Sequence, residues 1–152
     1  MAQAALPPDE PERLAELQWL DLLDTPPEQR FDRIARLACR VFDVPIALVC
    51  LVDAERQWFK SSIGLPERET PRSSSFSAHA ILAAEPLVVQ DARRDPRFRD
   101  NPRVTGEPFI RFYAGHPISG PGGHRIGTLC IADRRPRRLK AADFETLRDL
   151  AG

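Results

Sequence analysis

The residues able to do chemistry in this chain are three histidines, three cysteines and a crowd of arginines. His79 stands among small residues in SFSAHAI. There it can hydrogen-bond a ligand, bind haem iron or be satisfied inside the fold. His116 and His124 give no metal-ligand spacing, and Cys130 beside His116 supplies only two ligands of the four a zinc site needs. Cys39, Cys50 and Cys130 form no disulfide framework. They fall on an apolar helix face and in two apolar strands, where a thiol serves as a small hydrophobe. Arg93, Arg94, Arg97, Arg99, Arg103 and Arg111 offer guanidinium forks suited to phosphate or carboxylate. Asp91, Asp95 and Asp100 are interleaved with them, so most of the segment reads as a solvated, partly neutralised surface. Arg111 differs, because a strand can aim it into a site. The run Arg134, Arg135, Arg137 and Arg138 lacks interleaved aromatics and reads as a turn, not a nucleic-acid patch. GPGGH is followed by no Lys-Ser/Thr pair and no helix, which excludes a phosphate loop.

These groups need elements to position them. Residues 1–8 are small, apolar and proline-rich, and are expected to fray. A helix is expected over 9–24, carrying Leu14, Leu17, Trp19, Leu20, Leu22 and Leu23, more apolar positions than one packing face requires. Thr25-Pro26-Pro27-Glu28 reads as a cap opening a second helix, with Phe31, Ile34, Ala38, Val41 and Phe42 as its inward stripe. PIALVCLVD is a central strand and QWFKSSI its hairpin partner. GLPERETPR is a loop. Ser73, Ser74 and Ser75 offer caps for a helix through FSAHAILAA. LVVQ is a short strand, and Asp95-Pro96 opens a single helical turn that Asn101-Pro102 stops. FIRFYAGHPI and RIGTLCIAD are strands joined by the GPGGH turn. Phe144, Leu147 and Leu150 begin a last amphipathic helix near 140–152, which breaks off as its apolar face starts. An excised module is the expectation.

A chain of 152 residues suffices for one domain with its own core. Its net charge is zero, so no global field points to nucleic acid or an anionic membrane. Charge is nonetheless uneven, acidic in the first thirty residues and basic after Arg93. No apolar run is long enough to span a bilayer, no signal-peptide core is present, and the cysteine usage suits a reducing cytoplasm.

In order and spacing, LDTPPEQRFDRIARLACRVFDVPIALVCLVD, RQWFKSSIGL, TPRSSSFSAHAI, LVVQDARRDPRF and the segment 91–133 resemble GAF sensor domains of bacterial signalling proteins. The resemblance covers roughly residues 20–143. It implies an α/β (α+β) fold with a central antiparallel sheet of five or six strands. Terminal helices would pack on one face, and a short helix with loops would cover the other. The domain would occupy residues 25–152.

The resemblance also implies a ligand pocket between the sheet and the SFSAHAI and DARRDPRF segments. Candidate ligand-binding residues are Trp58, Phe76, Ser77, His79, Asp91, Phe98, Arg111, Tyr113 and Thr128, a mix of aromatic walls and sparse polar groups. The ligand is an unknown small molecule, and no catalytic or metal-binding residue is assigned. Ser77 departs from a family pattern that often has cysteine there. No cysteine occurs between Cys50 and Cys130, so no covalent bilin is expected. The implied role is regulatory sensing and dimerisation, upstream of a C-terminal output domain such as a histidine kinase, diguanylate cyclase or phosphodiesterase. A homodimer through the terminal helices is expected. Two alternatives stay open: an enzyme like free methionine-(R)-sulfoxide reductase, needing an exposed thiolate and a resolving cysteine, and a ligand-free structural dimerisation module.

Overall fold

The computed structural model describes residues 3–152. Its centre is β1, Ile46–Val52, seven residues that are all buried. Both faces of this strand are covered, which explains its unbroken apolar run. β2 (Arg56–Ile63), β3 (Glu69–Pro71), β4 (Leu87–Val89), β5 (Phe112–Ser119) and β6 (Arg125–Asp133) complete a six-stranded sheet in the order β3-β2-β1-β6-β5-β4. Every pairing is antiparallel. β3 was expected to be loop: three residues are too few to show alternation.

On one face, α2 (Gln29–Phe42) and α5 (Ala141–Ala151) pack over the sheet. Ala35, Ala38, Phe42 and Leu147 meet Ala47, Val49, Phe112, Leu129 and Ile131 there. Val41, placed on the inward stripe by its spacing, is instead 55% exposed; Ala35 takes the inward position. α1, Glu10–Leu20, lays Leu17 over Leu51, Trp58 and Ile126. The other face is covered by α3 (Phe76–Ala80), α4 (Pro102–Thr105) and two 3-10 turns, Arg72–Ser74 and Ala92–Arg94.

Several local signals resolve differently from their expected use. Thr25 caps no helix. Its hydroxyl donates to the Leu22 carbonyl and accepts from the Lys60 ammonium, which also donates to Pro26 O and pairs with Glu28. The 25–28 segment thus becomes a seat for a buried lysine, and α2 starts at Gln29. α1 ends at Asp21 in the left-handed conformation, a geometry aspartate tolerates. α3 closes at Ile81, short of the expected span, because Arg125 Nε binds the Ile81 carbonyl at 2.7 Å. The turn that Asp95 caps ends before Asn101 as expected, but Asn101-Pro102 also opens a further helix. The Asn101 side chain accepts from Arg103 N, and Pro102 fills the first turn of α4. Of the lead-in expected to fray, residues 1–2 lie outside the described residues. Beyond them, Ala4 packs against the Val52–Ala78–Ile81 cluster and Pro7 is buried. These small apolar side chains find a surface to cover.

The acidic character of the first thirty residues turns out to hold α1 and its successor to the sheet. Glu10 bonds Arg13 and Arg72, and Arg13 also donates to the Val52 carbonyl at 2.6 Å. Asp9 pairs with His124 at 2.7 Å, and Asp24 with Arg56 at 2.7 Å. Glu16 accepts from the backbone N–H groups of Gly122 and His124. The glycine-rich turn therefore cradles an internal carboxylate. A Cβ on Gly120 would meet Glu16 Oε2 at 1.7 Å, so a larger residue there would push the Glu16 carboxylate from its seat.

Candidate functional site

The candidate site starts from Ser75. Its hydroxyl accepts from Ala78 N at 3.1 Å, capping α3, and lies 2.6 Å from Gln57 Oε1 on β2. This fixes the start of α3 over the sheet and sends Phe76 and Ser77 inward. Phe76 stacks on Phe98 with ring centroids 4.2 Å apart and planes 5° from parallel. Its centroid is 4.9 Å from that of Tyr113. Ser77 Oγ lies 2.8 Å from Thr128 Oγ1 and 3.2 Å from the Tyr113 hydroxyl. All five residues are buried. The polar groups expected to await a ligand satisfy one another in a closed hydroxyl cluster.

Beneath them lie Cys50 and Cys130 on neighbouring strands, with sulfurs 3.6 Å apart. The hydrogen bond shared with Cys50 and burial push the Cys130 thiol well above its ordinary range. Burial, with the nearby thiols, pushes the Tyr113 phenol upward too. This interior holds neutral groups, not a ready nucleophile. Cys39 is half-buried, and burial raises its thiol as well.

The open space is small. A cavity of about 40 Å³ is walled by Ile46, Leu48, Phe59, Phe76, Tyr113 and Cys130, with Gln57, Thr70, Ser74 and Arg103 supplying polar lining. Pockets for drug-sized molecules hold roughly 300–1,000 Å³. As it stands, the interior admits little more than water. Larger spaces lie outside it. An open groove of about 790 Å³ runs past Val88, Asp91, Arg94 and Arg138, and a cleft of about 430 Å³ lies between Lys60, Leu65 and Glu67.

Phe76, Ser77, Phe98, Tyr113 and Thr128 thus adjoin one another, with His79 edge-on to Phe98 at 4.9 Å. Three candidates lie elsewhere. Trp58 is buried, but it packs with Leu17 and Leu51 under α1; its neighbour Phe59 faces the cavity. Strand alternation allows only one of the two on each face, and the cross-strand pairing of Trp58 with Leu51 decides which. Asp91 caps the Ala92–Arg94 turn and pairs with Arg93 at 2.8 Å, facing the outer groove. The hydrogen bond from Arg93 holds its carboxyl below the usual range. Arg111 reaches the Val104 carbonyl at 2.9 Å, at the C-terminal end of α4, and does not line the cavity.

The other basic residues divide into pairs and braces. Arg97 is neutralised by Asp95 at 2.7 Å. Arg137, expected in a solvated turn, binds Asp133 at 2.7 Å and the Phe42 and Asp43 carbonyls, bracing the end of α2. Gln57, Leu65 and Glu67 carry no signal of a site in the sequence, and Arg103, expected on a solvated surface, lines the cavity. Glu67 and Arg103 join at 2.8 Å across 36 positions of chain, and nothing in their local sequence signals it.

Tyr113→Phe tests the hydroxyl cluster. Ser77 and Thr128 still have each other, so the expected loss is about 0.5–1.5 kcal/mol in denaturant unfolding. A loss above about 3 kcal/mol would show that the phenol oxygen holds more than one hydrogen bond.

The family model of the GAF domain matches residues 26–152. The chain is 49% identical over 137 residues to the cyclic di-GMP phosphodiesterase PA2567 of Pseudomonas aeruginosa; the match covers 90% of this chain but 23% of that protein. Among solved structures, the GAF domain of an Acinetobacter phosphoenolpyruvate-protein phosphotransferase superposes with a TM-score of 0.64 at 16% identity, covering 93% of this chain and 89% of that one. The free methionine-R-sulfoxide reductase of Neisseria meningitidis superposes with a TM-score of 0.65 at 17% identity, covering 99% and 90%. At such identities these structures speak for the fold alone. Family model, sheet order and the two covered faces agree: the chain belongs to the GAF domain family, a family of regulatory sensing domains.

Proposed function

We propose that the chain is the sensing module of a larger signalling protein that makes or degrades cyclic di-GMP, and that it works in the cytoplasm. The observation carrying this is the 49% identity to a cyclic di-GMP phosphodiesterase across only 23% of that protein. The output chemistry then belongs to a neighbouring domain, and this domain biases it. Cys50 and Cys130 are buried, and the Cys130 thiol is pushed well above its ordinary range, which speaks against sulfoxide reduction by an accessible thiolate. No helix among the described residues is long and apolar enough to cross a membrane. The test is a chimera in which this chain replaces the matched segment of that phosphodiesterase. The chimera should keep hydrolysing cyclic di-GMP, while the isolated chain hydrolyses none. A folded but inactive chimera, or hydrolysis by the isolated chain, would overturn the reading.

The small size of the cavity supports a second role, as a dimerisation module. The leucines expected to be surplus on α1 are engaged: Leu17 is fully buried, and Leu20, Leu22 and Leu23 pack around it. It is α2, not α1, that shares a packing cluster with α5. Trp19 on α1 stays 74% exposed, and a neighbouring pair of exposed apolar side chains lies on α2, where Leu37 and Val41 are 38% and 55% exposed one turn apart. A second copy is the proposed occupant of this face. Sedimentation velocity should show concentration-dependent association that Val41→Glu abolishes. A monomer at every concentration would exclude the seam.

A further inference from the structure

Two spaces meet at one wall. The interior cavity and the open cleft are both lined by Phe59 and Leu65. Leu65 is half-buried, in the loop between β2 and β3. If its side chain swings aside, the cavity opens into the cleft.

The charges at this wall are under-used. Among the described residues Arg103 is the only cation lining the cavity, and Glu67 lines the cleft. They touch through one oxygen, Arg103 Nη1 to Glu67 Oε1 at 2.8 Å. The Arg103 side chain is 23% exposed. The Glu67 side chain is 36% exposed, but its Oε2 is shielded from water and has no hydrogen-bond partner among the described residues. A shielded carboxylate oxygen without a donor is unfavourable, and a guanidinium is shaped to bind both oxygens of a carboxylate at once. The Glu67 carboxylate therefore fits Arg103 poorly, and a better-placed carboxylate would displace it.

We propose that Arg103 is the anion anchor of the interior site, that Glu67 occupies it as an internal stand-in, and that Leu65 is the gate. The ligand is a small monocarboxylate with a ring-bearing apolar body. Once Leu65 has swung aside and joined the cavity to the cleft, the ligand's ring meets Phe59, Phe76 and Tyr113, which favour offset or edge contacts with a further aromatic. Its carboxylate takes the place of Glu67. One guanidinium matches one negative charge; a phosphate dianion would find no second cation among the described lining residues. The proposal rests on the reading of this domain as a sensor. It gives that sensor an output: ligand entry releases Glu67, and with it the loop ahead of β3.

The test uses phenylacetate and its neutral isostere phenylacetamide, titrated into the folded chain and followed by protein NMR. Glu67→Gln removes the competing charge, and should raise phenylacetate affinity on the order of tenfold with no matching gain for phenylacetamide. Adding Arg103→Met should erase that preference. Leu65→Ala, checked for a cooperative melt, should bind both probes more tightly than the wild type. Equal affinities for the two probes in Glu67→Gln would overturn the anchor while leaving an aromatic-binding interior, and hence the sensing reading, in place. No binding of either probe by folded Glu67→Gln and Leu65→Ala would remove the interior site and the sensing reading together.

Discussion

Arg13→Met should cost about 3–5 kcal/mol, because it breaks a buried ion pair from one side. Arg13 is fully buried. Its Nε and Nη2 bind both oxygens of Glu10, and its Nη1 binds the Val52 carbonyl. Methionine fills much of the volume but leaves that carbonyl unpaired and Glu10 with Arg72 alone. Burial pushes the Glu10 carboxyl upward, but hydrogen bonds from Arg13 and Arg72 outweigh it and hold it at about 2, against an ordinary 4.5. Since the folded value is depressed, this stabilisation is fully present above about 4.5 and is lost as pH falls towards 2. The difference between wild type and Arg13→Met should therefore be largest at neutral pH and shrink in acid. Urea unfolding across that range measures it, with Trp58 beneath α1 as the fluorescent reporter and Trp19 replaced by phenylalanine. A pH-independent difference under about 1 kcal/mol would show that the network holds nothing.

Phe112→Ala should cost a similar 3–5 kcal/mol, for a different reason. Phe112 is fully buried at the start of β5, on the sheet face packed by α2 and α5. Truncation leaves a void between two layers that cannot both close on it. The damage lies across the sheet from Phe76 and Tyr113, so the candidate site should keep its shape. Guanidinium unfolding should show the full loss, while the Tyr113 and Phe76 ring signals stay in place. A loss under about 1 kcal/mol would mean that the helices repack freely over the sheet.

The strands of this fold were legible because their apolar runs are unambiguous. The PIALVCLVD, QWFKSSI and RIGTLCIAD segments form β1, β2 and β6 where periodicity puts them. Caps were less legible, since Thr25 and Asn101 each suit more than one local role, and a distant lysine or a preceding turn makes the choice. The site was half legible. Phe76, Ser77, Phe98, Tyr113 and Thr128 come together, but the sequence gives no way to tell Trp58 from Phe59 without the strand register. Arg111 was marked for a strand's ability to aim it, yet the free carbonyl of a four-residue helix took it. The contacts that close the interior, Glu67 with Arg103 and Cys50 with Cys130, join distant positions and leave no local trace.

Native mass spectrometry tests most directly whether the interior is a ligand site. The protein would be isolated from cell extract under mild conditions and compared with Ala132→Leu, which adds a larger side chain to the cavity lining. The expected result is a wild-type species carrying the added mass of one small acid, lost on denaturation and absent from Ala132→Leu. Bare polypeptide mass in both proteins, unchanged when phenylacetate is supplied in excess, would contradict a ligand-sensing interior.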